Sequence, residues 1–210
     1  MQATPGAPLT TGGTGGPATR PRRRVGLIVV VTALAWLLDV VTKVVAVAQL
    51  SDRPPVELVP GVLQLTLTRN SGAAFSIGTG LTVVLTAIAV VVVVVVLRLV
   101  PRVRTTGWAL AFGLLLGGAL GNLTDRILRD PAPLRGHVVD FLELPHWPVF
   151  NLADSCIVVA AVLIAVQSMR GIGLDGRRVG EEVPAGTGGD AGDGSADGTG
   201  GDPSPRPEPR

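Results

Sequence analysis

The chain has 210 residues, of which 47% are hydrophobic and 16% are charged, and its mean hydropathy is +0.47. A net charge of +2 and a pI near 9.4 would suit nucleic acid binding, but aromatic residues make up 3% and tyrosine is absent, so we expect no base-stacking surface and no nucleic acid partner. The single cysteine, Cys156, excludes an intramolecular disulfide.

Long apolar runs predict membrane-spanning helices, because about 20 apolar residues in a helix cross the hydrocarbon core of a bilayer. The predicted spans are about 25–47, 79–99, 107–127 and 149–170. The expected fold class is therefore an all-α polytopic membrane protein with four transmembrane helices. The second span contains an unbroken valine run, Val90–Val96, which has no amphipathic period and is expected to face lipid throughout.

Arginine placement predicts the orientation of these spans. Arginines cluster in residues 20–24, 98–104 and 170–178. These clusters precede the first span, link the second to the third and follow the fourth. The positive-inside rule places all three on the cytoplasmic side, so both termini are expected in the cytoplasm.

The segments outside the spans differ in composition. Residues 1–23 and 171–210 are rich in small and polar residues and are expected to be disordered cytoplasmic tails, which leaves 24–170 as the membrane domain. Within residues 51–78, leucines partly alternate with polar residues from Leu63 to Leu67, which is a strand pattern. We expect a small extracytoplasmic β element there, ending in a turn near Asn70.

The predicted orientation brings all the intramembrane polar residues to one leaflet, the outer one. They are Asp39, Thr42, Lys43, Asn70, Asn122, Asp125, Arg126, Asp140, Asn151 and Asp154. Ionisable residues are costly in hydrocarbon and usually mark function, so this convergence predicts a single site.

Asp140 and Asp154 carry the chemistry in this interpretation. They are 14 residues apart and flank one loop, across which their carboxylates can meet. Two close carboxylates share one proton and can activate water for hydrolysis. The alternative, simple helix capping at the membrane interface, does not require two acids in one short loop.

The other polar residues leave more than one interpretation open. Asp39 and Lys43 are four apart in a helix, which favours an ion pair that either holds helices together or supports the site. Asp125 is either an interfacial anchor or a site residue. Arg126 is the better candidate for binding a carbonyl or phosphate, because its guanidinium presents a fork of donors.

Three other mechanisms are weighed against the aspartate pair. A serine/lysine peptidase would use Ser71 or Ser155 with Lys43, although Asp39 one turn away opposes the use of that lysine as a base. A zinc peptidase would need ligands, and the two histidines form no H-E-x-x-H pattern. A proton-coupled carrier or channel would spread polar residues through the bilayer depth, whereas the inner halves of these spans are apolar.

Five blocks of the sequence resemble the motifs of bacterial lipoprotein signal peptidase, also called signal peptidase II. The resemblance covers roughly residues 24–170, with every block in family order. The blocks are Asp39-x-x-Thr42-Lys43, Asn70-x-Gly72-Ala73-Ala74-Phe75, the run Gly117–Arg126, Val139-Asp140-Phe141 and Phe150-Asn151-x-Ala153-Asp154-Ser155.

The resemblance implies an aspartic endopeptidase of the bacterial cell membrane that acts without cofactor or metal. Such enzymes cut prolipoproteins just before a diacylglyceryl-modified cysteine, so lipid-modified signal peptides and membrane lipids are the expected partners of a monomer. The roles that it implies are catalysis by Asp140 and Asp154, substrate binding or oxyanion stabilisation by Asn70, Asn122, Arg126 and Asn151, and support by Asp39 and Lys43.

Overall fold

The computed structural model describes residues 24–72 and 80–178. Its four helices are α1 (Val25–Leu50), α2 (Gly80–Leu99), α3 (Thr106–Leu128) and α4 (Leu152–Met169). All four are long and apolar enough to cross a membrane. Together with a small sheet they confirm the predicted fold class. The predicted tails up to residue 23 and beyond residue 178, and the motif residues Ala73, Ala74 and Phe75, lie outside the described residues.

Helix α3 packs between α1 and α4, and small residues along it allow a close approach on both sides. A Cβ added at Gly117 would lie 2.5 Å from the Cβ of Ala35 in α1. A Cβ added at Gly118 would lie 2.5 Å from the carbonyl oxygen of Ala153 in α4. Small residues let helix backbones touch in a membrane, where packing rather than burial from water drives association. This arrangement makes α3 the central helix and places its polar residues at both interfaces.

Three antiparallel strands cover one end of the helix bundle, called here the sheet end. They are β1 (Val56–Val59), β2 (Leu63–Asn70) and β3 (Val138–Glu143), in the order β1-β2-β3. Phe141 and Val139 of β3 pack in an apolar cluster with Leu50 at the end of α1, which fixes the sheet against the bundle.

Strand β3 is the main element that was not predicted from the sequence, because a strand pattern was recognised only within residues 51–78. Val138–Phe141 are buried throughout and therefore lack the alternation that reveals a half-exposed strand. The register pairs Thr68 with Asp140 and Asn70 with Val138. Asp140 is consequently held on a strand beside Asn70.

The opposite end of the bundle closes on a short segment after α4. The indole nitrogen of Trp108 donates to the carbonyl of Ile172 over 2.8 Å, and the backbone N–H of Arg104 donates to the carbonyl of Leu174 over 2.9 Å. Leu174 packs against the apolar cluster around Trp108. Residues 171–178 are therefore packed on α3, although the sequence analysis assigned them to the tail.

The valine run of α2 is only partly exposed. Val96 is 4% exposed and packs in the cluster around Trp108, with Val92 and Val93 partly buried against it. Val91, by contrast, is 59% exposed. The expectation that the whole run faces lipid was wrong. Although every side chain in the run is a valine, α3 packs against one side of α2 and buries the valines on that side.

Candidate active site

The eight residues to which the family resemblance assigns roles lie together between the sheet and the helix ends beneath it. The side chains of Asp39, Lys43, Asp140 and Asn151 are at most 1% exposed. A hydrogen-bonded network connects these four to Asn70, Asn122 and Asp154. The convergence of polar residues expected from the span topology is therefore present in the structure.

Asp140 is the deepest carboxylate of β3 and receives two amide donors. Nδ2 of Asn70 donates to Asp140 Oδ2 over 2.9 Å, and Nδ2 of Asn151 donates to Oδ1 over 2.6 Å. Burial raises the pKa of Asp140 to about 6, although these two hydrogen bonds oppose the rise, and the charge of Asp154 adds to it. Asp140 is thus the kind of carboxyl group that exchanges a proton near neutral pH.

Asp154 is fixed by a capping box at the start of α4. Asn151 has an extended backbone and its Oδ1 accepts from the N–H of Asp154 over 2.9 Å. In return, Asp154 Oδ2 accepts from the N–H of Asn151 over 3.2 Å. Such reciprocal bonds satisfy amides that the first turn of a helix leaves unpaired.

Two asparagines connect the carboxylates of Asp140 and Asp154. Asn122 Nδ2 donates to Asp154 Oδ1 over 2.8 Å, and Asn122 Oδ1 accepts from Asn151 Nδ2 over 3.2 Å. Because Asn151 also donates to Asp140, a continuous chain runs from one aspartate to the other. Each carboxylate is held in a fixed orientation by neighbours that do not titrate.

Arg126 provides the cationic group of the same region. It is 6% exposed, its guanidinium donates to the carbonyl of Gly136 over 3.2 Å, and it reaches the carbonyl of Asn70 at 3.5 Å. The N–H of Gly136 in turn donates to the carbonyl of Arg126 over 3.0 Å. These bonds close the loop before β3 onto the end of α3 and orient Arg126.

One cavity of about 360 Å³ contains both aspartates in its lining. Its polar lining residues are Asn70, Asn122, Arg126, Asp140 and Asp154. Its apolar wall comprises Leu85, Ile88, Ala89 and Val92 of α2 with Leu115 of α3 and Ile157 of α4. A volume of this size, with a few converging polar groups beside an apolar wall, is typical of a ligand site.

A buried cluster of charged residues contacts Asn122, next to the two proposed catalytic aspartates. Lys43 Nζ contacts Asp39 Oδ2 at 2.8 Å, Asp125 Oδ2 at 3.1 Å and Asn122 Oδ1 at 2.9 Å. An ammonium has three hydrogens to donate, so Lys43 is fully engaged. Asp125 also pairs with Arg129 at 2.5 Å.

Asp125 is a buried residue that the sequence left open as either an interfacial anchor or a site residue. It is 4% exposed and bonded within the protein, so its interpretation as an interfacial anchor was wrong. Asp125 lies three residues after Asn122 and four before Arg129, so the three side chains share one helix face. This spacing was the feature of the sequence that could have indicated a role in the site. Ser155, the candidate nucleophile, donates to the carbonyl of Asn151 over 3.1 Å, and the engaged Lys43 provides no base for it.

Comparisons with known proteins identify the family. The family model described as signal peptidase (SPase) II matches residues 31–170. The chain is 46% identical over 167 residues to the lipoprotein signal peptidase of Mycolicibacterium smegmatis, covering 78% of this chain and 71% of that protein. It is 49% identical over 168 residues to the lipoprotein signal peptidase of Mycobacterium avium, covering 79% and 92%.

Solved structures agree with these matches. A solved structure described as a bacterial membrane enzyme is 26% identical, with a TM-score of 0.64, and the match covers 72% of this chain and 97% of that one. A second with the same description is 27% identical, with a TM-score of 0.61, covering 71% and 92%. Since the family model spans more than half of the chain and the relatives are identical to it at nearly half of the aligned positions, this membrane protein belongs to the signal peptidase II family, as the sequence motifs predicted.

Proposed function

We propose that Asp140 and Asp154 are the catalytic pair with which this signal peptidase II removes signal peptides from lipoprotein precursors, cleaving before the lipid-modified cysteine. The observation that carries the proposal is that both carboxylates line one cavity and are joined by a chain of two asparagines. Hydrolysis by a carboxylate pair needs both acids at one substrate site and needs no covalent intermediate.

The proposed reaction uses one proton held between the two acids. The ionised carboxylate takes a proton from a water molecule, whose oxygen attacks the carbonyl carbon of the scissile peptide bond. The protonated carboxyl group donates to the carbonyl oxygen as the tetrahedral intermediate forms. The proton abstracted from water is then delivered to the leaving nitrogen as the C–N bond breaks. At the same time, a hydroxyl of the intermediate returns its proton to the other carboxylate, which restores the pair to its starting state.

The remaining polar residues divide between two roles. Asn70 and Asn151 hold Asp140 with their amide groups, and the N–H of Gly72 occupies the oxygen of Asn70 at 2.7 Å. Their role is therefore to orient the acid. Arg126 lines the cavity and is its cationic donor, so we assign it to the substrate carbonyl or to the developing oxyanion.

The apolar wall of the cavity suits the lipid part of the substrate. Leu85, Ile88 and Val92 present a hydrocarbon surface that continues from the polar end along α2. Burial of acyl chain contributes about 0.8 kcal/mol per methylene, so lipid contacts can fix the depth of the cleavage site. We place the polar end near the outer leaflet of the bacterial cell membrane, with both termini in the cytoplasm. The chain acts as a monomer in this proposal, because one copy supplies every polar group of the site.

Processing in cells tests the proposal. Cells that lack this chain are expected to accumulate lipid-modified but uncleaved precursor, and the wild-type gene should restore cleavage. Asp140→Asn and Asp154→Asn should each fail to do so. Ser155→Ala is the matched control, because it alters the neighbour of Asp154 and removes the alternative nucleophile, yet it should restore cleavage. Full processing by either aspartate variant would refute the catalytic pair.

A further inference from the structure

Two buried carboxylates bind the residues that directly precede the proposed catalytic aspartates. Asp39 Oδ1 accepts from the backbone N–H of Ala153 over 2.9 Å, one residue before Asp154. Asp125 Oδ2 accepts from the backbone N–H of Val139 over 3.1 Å, one residue before Asp140. The two acids therefore hold equivalent positions in elements that are otherwise unrelated, a helix start and a strand.

Lys43 connects these two carboxylates. Its Nζ lies 2.8 Å from Asp39 Oδ2 and 3.1 Å from Asp125 Oδ2, and its side chain is 1% exposed. Charged groups held together in a buried place attract each other strongly, and removal of one partner leaves the others unpaired at considerable cost. Asp39, Lys43 and Asp125, called here the lysine clasp, thus link the start of α4 to β3 through ion pairs and hydrogen bonds.

We propose that the lysine clasp sets the separation and orientation of the Asp140 and Asp154 carboxyl groups, an inference that rests on the proposed function of that pair. The three residues act as positioning residues. None of them lines the cavity that contains the aspartates, so they have no contact through which to bind substrate. Their loss should consequently lower kcat and leave KM almost unchanged.

The pH dependence of turnover distinguishes positioning from a simple loss of charge. Removing a charge near two acids moves the acidic and basic limbs of the pH–rate profile in the same direction. Changing the distance between the acids alters how strongly one responds to the other, and so changes the separation of the limbs. The charged groups that face the pair are Lys43 and Asp39 from α1 and Asp125 and Arg126 from α3.

The atoms used by each carboxylate predict an asymmetry between conservative variants. Asp39 uses one oxygen for Ala153 and the other for Lys43, so Asp39→Asn must lose one of these bonds. Asp125 contacts Val139 and Lys43 through the same oxygen, Oδ2, so Asp125→Asn can keep both and loses only the contact of Oδ1 with Arg129, outside the clasp. A residue that only fills space would show no such difference.

The experiment compares Asp39→Asn, Asp125→Ala and Asp125→Asn with wild type, using purified full-length protein and a diacylglyceryl-modified precursor peptide. Misplacing a reacting group by about 1 Å costs about 100-fold in rate, so Asp39→Asn and Asp125→Ala should lose about that factor in kcat with altered separation of the pH limbs. Asp125→Asn should retain most of the wild-type kcat and the wild-type separation. The proposed positioning role would be refuted if Asp39→Asn and Asp125→Ala kept the wild-type separation of the pH–rate limbs. It would also be refuted if Asp125→Ala and Asp125→Asn lost kcat equally.

Two controls keep the outcome interpretable. Trp108→Phe removes a partly buried hydrogen bond at the opposite end of the bundle, so it measures the effect of a destabilised fold on kcat and should not move the limbs of the pH–rate profile. If Asp39→Asn does not fold, the two Asp125 variants decide the question alone. Asp140→Asn in the same assay separates the two proposals. If Asp140→Asn is active, the proposed catalytic pair is refuted. If Asp140→Asn is inactive but Asp39→Asn is fully active, only the positioning role of the lysine clasp is refuted.

Discussion

Asp140→Asn should abolish turnover and at the same time stabilise the folded protein at neutral pH. The reason is that the Asp140 carboxylate is buried, with a pKa of about 6 instead of 3.8. A pKa rise of this size corresponds to about 3 kcal/mol of unfavourable free energy when the group is ionised. The amide of the variant is neutral and does not incur this cost.

Part of that gain is lost through hydrogen bonding. The carboxylate accepts from Asn70 and from Asn151, whereas an amide has one oxygen and can accept from only one of them in the same geometry. A hydrogen bond contributes about 1 kcal/mol net, so the variant should be more stable than wild type by roughly 2 kcal/mol at pH 7.5.

The sign of the pH dependence follows from linkage. The folded protein holds the Asp140 proton more tightly than the unfolded chain, so this group's contribution to stability is complete below about pH 3.8 and is lost as the pH rises through about 6. The stability difference between Asp140→Asn and wild type should therefore increase from pH 4 to pH 7. The other titrating groups are common to both proteins and cancel in the difference, apart from the interaction of Asp154 with the charge of Asp140.

Thermal unfolding in detergent provides the assay. Cys156 is the sole cysteine and lies half-buried in α4, so a thiol-reactive dye reports when that helix opens. Near-UV circular dichroism provides an independent signal. A variant that unfolds below wild type at pH 7.5, or a stability difference that shrinks with rising pH, would refute the reasoning about the buried carboxylate.

Two further predictions concern packing around the site and the end of the chain. Gly121→Ala should destabilise the fold by about 1–3 kcal/mol and reduce kcat, because its new Cβ would collide with the carboxylate of Asp39. Gly26→Ala is the control, because the space around Gly26 is open. It should be neutral or stabilising by up to about 1 kcal/mol in the same unfolding assay. Deletion of residues 180–210 should leave turnover unchanged, whereas deletion from residue 171 should lower the unfolding temperature because it removes the segment that packs on α3. Equal behaviour of the two proteins within either comparison would contradict these expectations.

The sequence predicted the helices and the meeting of polar residues for related reasons. Hydrocarbon thickness fixes the length of an apolar span, and arginine placement fixes its direction. Direction in turn determines that Asp39, Asn122 and Asp154 share one end of the bundle. These conclusions need only the order of residues along the chain.

What the sequence did not reveal depends on contacts between distant segments. β3 has no alternation because both of its faces are buried, and its pairing with β2 arises from tertiary register. The burial of Asp125 follows from the approach of α1, which brings Lys43 beside it. Likewise, the packing of Leu174 on the cluster around Trp108 requires the folded bundle, since residues 171–178 have a tail-like composition.

Turnover of a diacylglyceryl-modified precursor by purified, folded Asp140→Asn and Asp154→Asn proteins tests the central claim most directly. General acid–base groups contribute about 10²–10⁴-fold, so each variant should fall at least about 100-fold below wild type while its unfolding transition remains cooperative. Wild-type turnover in either folded variant would contradict the account, because a pair of aspartates cannot share the reaction when one of them is dispensable.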